Sequence, residues 1–145
     1  MATNPAFSSR AYAAPILADA EVARLLEDLG HAVTAGDARA AAELWAIPAM
    51  VLGDQDVRAV SSREELARFF GNARAEYNAQ GITGTRPDVR NLTWLTRELA
   101  LVEVRWPYLT EDRHEKGEET STYVLRRDES GVLKIQVALL HGSTT

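Results

Sequence analysis

From Asp19 onward, apolar side chains recur at spacings of three and four. Val22, Leu26, Leu29 and Val33 form one stripe, and Asp28, His31 and Thr34 fall off it. That spacing predicts an amphipathic helix. Ala35-Gly36-Asp37 reads as a stop and a restart, because glycine suits a helix C-terminus and Asp37 can cap the helix that follows. The second helix is short and Ala-rich, running to about Leu44, with Pro48 ending whatever remains. AMVLG (49–53) and VRAV (57–60) flank the turn DQD and predict a small hairpin. Residues 61–65, SSREE, hold an S-x-x-E capping box, from Ser61 to Glu64 or from Ser62 to Glu65. The helix it opens carries Leu66, Phe69, Phe70, Ala73 and Tyr77 on one face and is expected to end near Gly81. Everything beyond reads as strand, in segments near 88–97, 98–109, 118–127 and 132–140. A charged hairpin tip (110–117) and the tight turn DESG (128–131) join the last three. Helices first and a run of strands later predict an α+β domain, an antiparallel sheet packed on helices.

The segment ELALVEVRWPYL (98–109) sets Glu103 and Arg105 in the middle of an apolar strand. Alternation separates Ala100, Val102, Val104, Trp106 and Tyr108 from Leu99, Leu101, Glu103, Arg105 and Pro107. The first set is wholly apolar or aromatic and is expected to face the helices. Burying the second would take two charges out of water at several kcal/mol each before pairing. Glu103 and Arg105 are therefore expected on the outer face, paired across strands or in a subunit contact.

AGDARAAAELW, the hairpin, the capped third helix and the closing STYVLRRDESGVLKI together resemble the NTF2-like superfamily, over about residues 19 to 140. SnoaL-like polyketide cyclases and ketosteroid isomerases belong to that superfamily. The resemblance implies a cone, a strongly curved sheet around a long helix that encloses a pocket, and commonly a homodimer through the outer face of the sheet. It also allows a residue-by-residue test for chemistry. A ketosteroid isomerase needs a carboxylate base and two proton donors, a Tyr and a neutral Asp. Counting from the AGD motif, the Tyr position falls on Leu29 and the base position on Gly53, with Asp54 one residue along. The donor Asp is matched by Tyr123. Two of the three groups are absent, which argues against that mechanism. Cyclase and dehydratase relatives place a His or Asp on the final strand. Here that strand reads LKIQVALLHG, where Gln136 is the only polar interior group expected after Lys134, and His141 lies at the end.

The rest of the composition narrows the picture. The 145 residues suit one domain: an N-terminal arm over 1–17, the NTF2-like domain over 18–141 and a tail over 142–145. Sixteen Lys and Arg against 21 Asp and Glu leave a net charge of −5, and no basic stripe offers a footprint for nucleic acid or an anionic membrane. No apolar run approaches the roughly 20 residues of a membrane span, and the first 17 residues do not read as a secretory signal, so a cytoplasmic protein is expected. With no cysteine there is no thiol chemistry. His31, His114 and His141 are scattered without ligand spacing, so neither a metal nor another cofactor is expected.

Tyr123 shares its strand phase with Ser121 and Leu125, the set that the resemblance implies faces inward. Its hydroxyl wants a partner, either a ligand carbonyl or a neighbouring group of the core. Trp45, Trp106, Tyr108, Phe69 and Tyr77 would suit the walls of a site for a flat apolar ligand, or would equally serve as core. Trp94 is open between core and dimer face, and Arg74 and Asn78 between the mouth of the pocket and solvent. The functional expectation is a cone that binds a small, largely apolar molecule. The alternatives are a dimerisation or partner-binding module with a filled cone, and a SnoaL-like isomerase, cyclase or dehydratase.

Overall fold

The computed structural model describes residues 16–144; the expected arm up to residue 15 lies outside them. The chain begins with α1 (Ile16–Ala35) and α2 (Ala38–Glu43), then turns into β1 (Trp45–Leu52) and β2 (Val57–Val60). Two helices follow, α3 (Arg63–Phe70) and α4 (Ala73–Ala79), and then β3 (Gly84–Thr85), β4 (Asp88–Trp94), β5 (Leu99–Leu109), β6 (Glu115–Arg127) and β7 (Leu133–Thr144).

Local chemistry accounts for the helix ends. Gly36 sits at φ 79, in the left-handed region that an L side chain resists, and Asp37 N–H returns to the Ala32 carbonyl at 2.9 Å. Asp37 then caps α2 by accepting from Ala40 N–H at 3.0 Å. Of the two candidate capping boxes, the second forms. Ser62 Oγ accepts from Glu65 N–H and Glu65 Oε1 accepts from Ser61 N–H, each at 3.1 Å. The helix expected to run from there to Gly81 is in fact two. Gly71 closes α3 with its N–H on the Arg68 carbonyl, and α4 restarts at Ala73.

The sheet runs in the order β2-β1-β7-β6-β5, and both β3 and β4 pair along the far edge of β5. All pairs are antiparallel except β1 with β7. Pro48 does not end a helix: it lies within β1, which starts earlier than expected, at Trp45. Register shifts interrupt the ladders between β1 and β7, β4 and β5, β5 and β6, and β6 and β7. Such irregularities bend strands and increase twist, which is how this sheet curves without closing. Its concave face receives α1, where Val22, Leu26 and Leu29 are buried as their spacing requires. Leu26, Leu66, Leu125 and Ile135 are fully buried, each contributing about 1.5–3 kcal/mol of transfer free energy.

The inward set of β5 is buried from Ala100 to Tyr108, while Leu101 and Glu103 are exposed. Arg105 lies on the outer face in a nest of carboxylates: Glu118 at 2.5 Å, Glu115 at 2.5 Å and Asp88 at 3.4 Å. The contacts raise the Arg105 guanidinium pKa further, through its hydrogen bonds to Glu115 and Glu118, and hold the Glu115 carboxyl below its ordinary range. Pro107 departs from the expected outer set and is fully buried, because a register shift between Pro107 and Leu109 ends the strict alternation there. β7 continues to Thr144, beyond residue 141 where the domain was expected to end. Trp94 packs on the core, with its indole N–H donating to Asp19 Oδ1 at 3.0 Å and Arg127 stacked 5.5 Å from its ring.

Candidate functional site

A cavity of about 250 Å³ opens between α1, the α3–α4 pair and the concave face of the sheet. Tyr123, Trp45, Trp106, Tyr108, Phe69 and Tyr77, separated by as many as 78 positions in sequence, all line it. Each arrives for a local reason. Trp106 and Tyr108 are the inward phase of β5, and Tyr123 is the inward phase of β6. Tyr77 shares one face of α4 with Ala73 and Glu76, at spacings of three and four.

The deep end is a fixed polar cluster. Trp106 Nε1 donates to Tyr123 Oη at 3.0 Å, with the two rings edge to face at 83°. Ser121 bonds the same phenol, and burial pushes the Tyr123 pKa up to about 12. Tyr123 thus has partners within the chain and stays protonated at neutral pH. Trp45 is buried with its indole N–H unpaired among the described residues.

Nearer the mouth, Tyr77 Oη donates to Glu119 Oε1 at 2.7 Å, and its ring meets that of Tyr108 at 5.7 Å. Burial first, and then the negative charge of Glu119, raise the Tyr77 pKa far above the ordinary phenol range, so this hydroxyl is a donor and not a base. Phe69 and Phe70 stand edge to face at 5.2 Å, with Arg58 over the Phe69 ring at 5.7 Å.

Glu119 escaped sequence reasoning. The signal was present, since Glu119, Ser121 and Tyr123 share one strand phase and the segment expected near 118–127 already holds Glu119, but nothing in that phase names Tyr77 as its partner. β6 in fact begins at Glu115, which places Glu119 well inside the strand. Arg74 and Asn78, left open between the mouth and solvent, do not line the cavity; Arg74 turns toward the Ala35 carbonyl, and Glu76 is in the lining. Gln136 is not an interior group. It sits at the register shift between β6 and β7, and its side-chain amide donates to the Pro48 carbonyl. His141 pairs with Thr122 at 2.8 Å, away from the cavity. The positions matched to a steroid isomerase's tyrosine and base hold Leu29, an apolar wall, and Gly53, outside the lining. Among the described residues no group of three or more His, Asp and Glu is placed to hold a metal ion. No helix there is long and apolar enough to cross a membrane.

A family model described as NTF2-like protein (DUF6841) matches residues 20–143. The chain belongs to this NTF2-like family. No curated protein matches its sequence. Among solved structures it is similar to a domain of unknown function with a cystatin-like fold from Nostoc punctiforme. The TM-score is 0.68 at 17% identity, over 91% of this chain and 81% of that one. It is also similar to a ketosteroid isomerase-like protein from Erwinia carotovora atroseptica, with TM-score 0.65, 11% identity and coverage of 87% and 95%. An NTF2-like protein of unknown function from Shewanella oneidensis gives TM-score 0.64 at 13% identity, over 86% of this chain and 99% of that one. At these identities the likeness is one of fold, and the chemistry of the NTF2-like cone has to be argued from its own lining.

Proposed function

We propose that this NTF2-like domain binds a small, largely apolar, ring-bearing molecule in its cone. The observation that carries the proposal is the 250 Å³ cavity, whose wall is mainly apolar and aromatic and includes the polar groups of Tyr123 and Glu119. Apolar walls with a few convergent polar groups are the usual make-up of a ligand site. An engineered apolar cavity of about 150 Å³ admits benzene, so this one suits a single ring with a short substituent or two small fused rings. The open cavity supports this reading over a module whose cone is filled by its own side chains. Glu119 supplies a carboxylate that could move a proton, so an isomerase or dehydratase activity remains the second reading, now centred on Glu119 and not on the final strand. The proposal includes a homodimer through the outer face of the sheet, where Leu101 and Glu103 stand exposed.

Native mass spectrometry of the purified protein tests both parts in one spectrum, with 2-phenylethanol as an added probe. The expected result is a dimer mass and one probe per subunit. Ala73→Phe, at the rim of the cavity, should block the probe and weaken binding about tenfold with the circular dichroism spectrum unchanged. Binding that ignores the plug would place the ligand elsewhere, and a monomer mass at micromolar concentration would remove the dimer.

A further inference from the structure

We propose that the ligand of the cone is a cation: a small ring-bearing amine, bound protonated, with its ammonium held by Glu119 and its ring among the aromatic walls. This rests on the cone being a ligand site and assigns that site its ligand class. The first argument is charge. Among the described lining residues, Glu119 and Glu76 are the ionisable acids, and no Lys, Arg or His joins them. Of the cations nearby, Arg58 lies over the outer ring of Phe69 and Arg74 on the Ala35 carbonyl, while the Arg113 guanidinium stands beside Gly84 of the lining.

The second argument compares carboxylates on one strand. Glu115 and Glu118 of β6 are both bonded to Arg105 on the outer face. Glu119 turns inward, half-buried, and among the described residues only the Tyr77 hydroxyl bonds it. A carboxylate drawn from water usually has a cationic partner, and here the chain leaves that place open toward the cavity.

The third argument is the balance of donors and acceptors. Tyr77 O–H is committed to Glu119, and Trp106 N–H to Tyr123. Beside Glu119 this leaves a ligand acceptor capacity, chiefly the carboxylate's second oxygen, while the unpaired Trp45 N–H is a donor elsewhere in the same wall. A ligand carboxylate would meet like charge at Glu119. An ammonium would satisfy that oxygen and also lie among ring faces that attract it: Trp106 is the cross-strand partner of Glu119, and Tyr77 and Tyr108 pack beside it.

The test is a set of near-isosteric probes on the intact protein: 2-phenylethylamine, 2-phenylethanol and phenylacetate at pH 7, followed by isothermal titration calorimetry. The amine is expected to bind about tenfold or more tighter than the alcohol, and phenylacetate weakest of the three. Glu119→Gln should abolish the difference, so that amine and alcohol bind equally in that variant. Equal binding of amine and alcohol would overturn the cation assignment while leaving the cone a small-molecule site. So would an amine preference that survives Glu119→Gln. Failure of all three probes to bind would remove both. The comparison on the unaltered protein decides the matter even where the variant folds poorly.

Discussion

Two tryptophans in the same wall differ in one respect that stability should register. Trp106 gives its N–H to Tyr123, whereas the N–H of Trp45 is buried without a partner. Replacing either by Phe removes similar volume, so the polar bookkeeping decides between them. Trp106→Phe strips a buried phenol of its donor, while Trp45→Phe deletes an unsatisfied group. Urea denaturation should find Trp106→Phe the more destabilising by about 1–2 kcal/mol. Equal losses would mean that the Trp45 indole finds a partner in solution. Tyr123 shows how one residue can satisfy two readings: its hydroxyl is bonded within the core, as a structural tyrosine's would be, and its ring still forms part of the cavity wall.

Where elements meet, the closest tolerance lies between α1 and β5. A Cβ on Gly30 would come within 2.9 Å of Trp106 Cζ3 and 3.1 Å of Thr85 Cγ2. Alanine in a helix interior normally stabilises by roughly 0.5–1 kcal/mol relative to glycine. Overpacking against a ring held by its own hydrogen bond costs about 1–3 kcal/mol and should win. Gly30→Ala is therefore expected to lower the melting temperature by a few degrees, about 1 kcal/mol net. A rise would show that Trp106 can shift, and the cavity with it. The break between α3 and α4 belongs to this scale as well. Periodicity alone carries Leu66, Phe69, Phe70, Ala73 and Tyr77 on one face, and nothing in that pattern announces that the axis is interrupted at Gly71 and Asn72.

Over the whole molecule, ion pairs tie the curved sheet together and to α1. Arg105 gathers carboxylates from β4 and β6, and Arg127 of β6 bonds Glu21 of α1 at 2.8 Å. The hydrogen bond from Arg127 holds the Glu21 carboxyl below its ordinary range, as Arg105 and then Arg86 do for Glu115. In the DESG turn, where Gly131 sits at φ 84, Ser130 and the Val132 N–H do the same for Asp128. Groups depressed in the folded state bind protons more readily when unfolded. Their contribution is therefore complete above the unfolded carboxylate values near pH 4 and fades as pH falls through the lower folded ones. Thermal melts should be flat from pH 6 to 8 and decline below about pH 4.5, with the loss reduced in Glu115→Gln. A protein equally stable at pH 3 and 7 would show that these pairs contribute nothing.

What the sequence by itself determined is whatever depends on period and cap. The stripe of α1, the Ser62 cap, the DESG turn and the alternation in β5 are local, and each is set by interactions within a few residues or by the two faces of one strand. Those periods also set the direction of Trp106 and Tyr108, and with the resemblance they carried the direction of Tyr123, the family and the α+β cone. Tertiary structure alone decided the rest. The carboxylate of Glu119 looked like one charge among many in EKGEET until β6 extended back to Glu115 and α4 brought Tyr77 to within 2.7 Å of it. The bulge at Gln136, the nest around Arg105 and the space left inside the cone likewise depend on which strands lie side by side and how far each is shifted. A period of two says which face a side chain takes; only the packed chain says what that face meets.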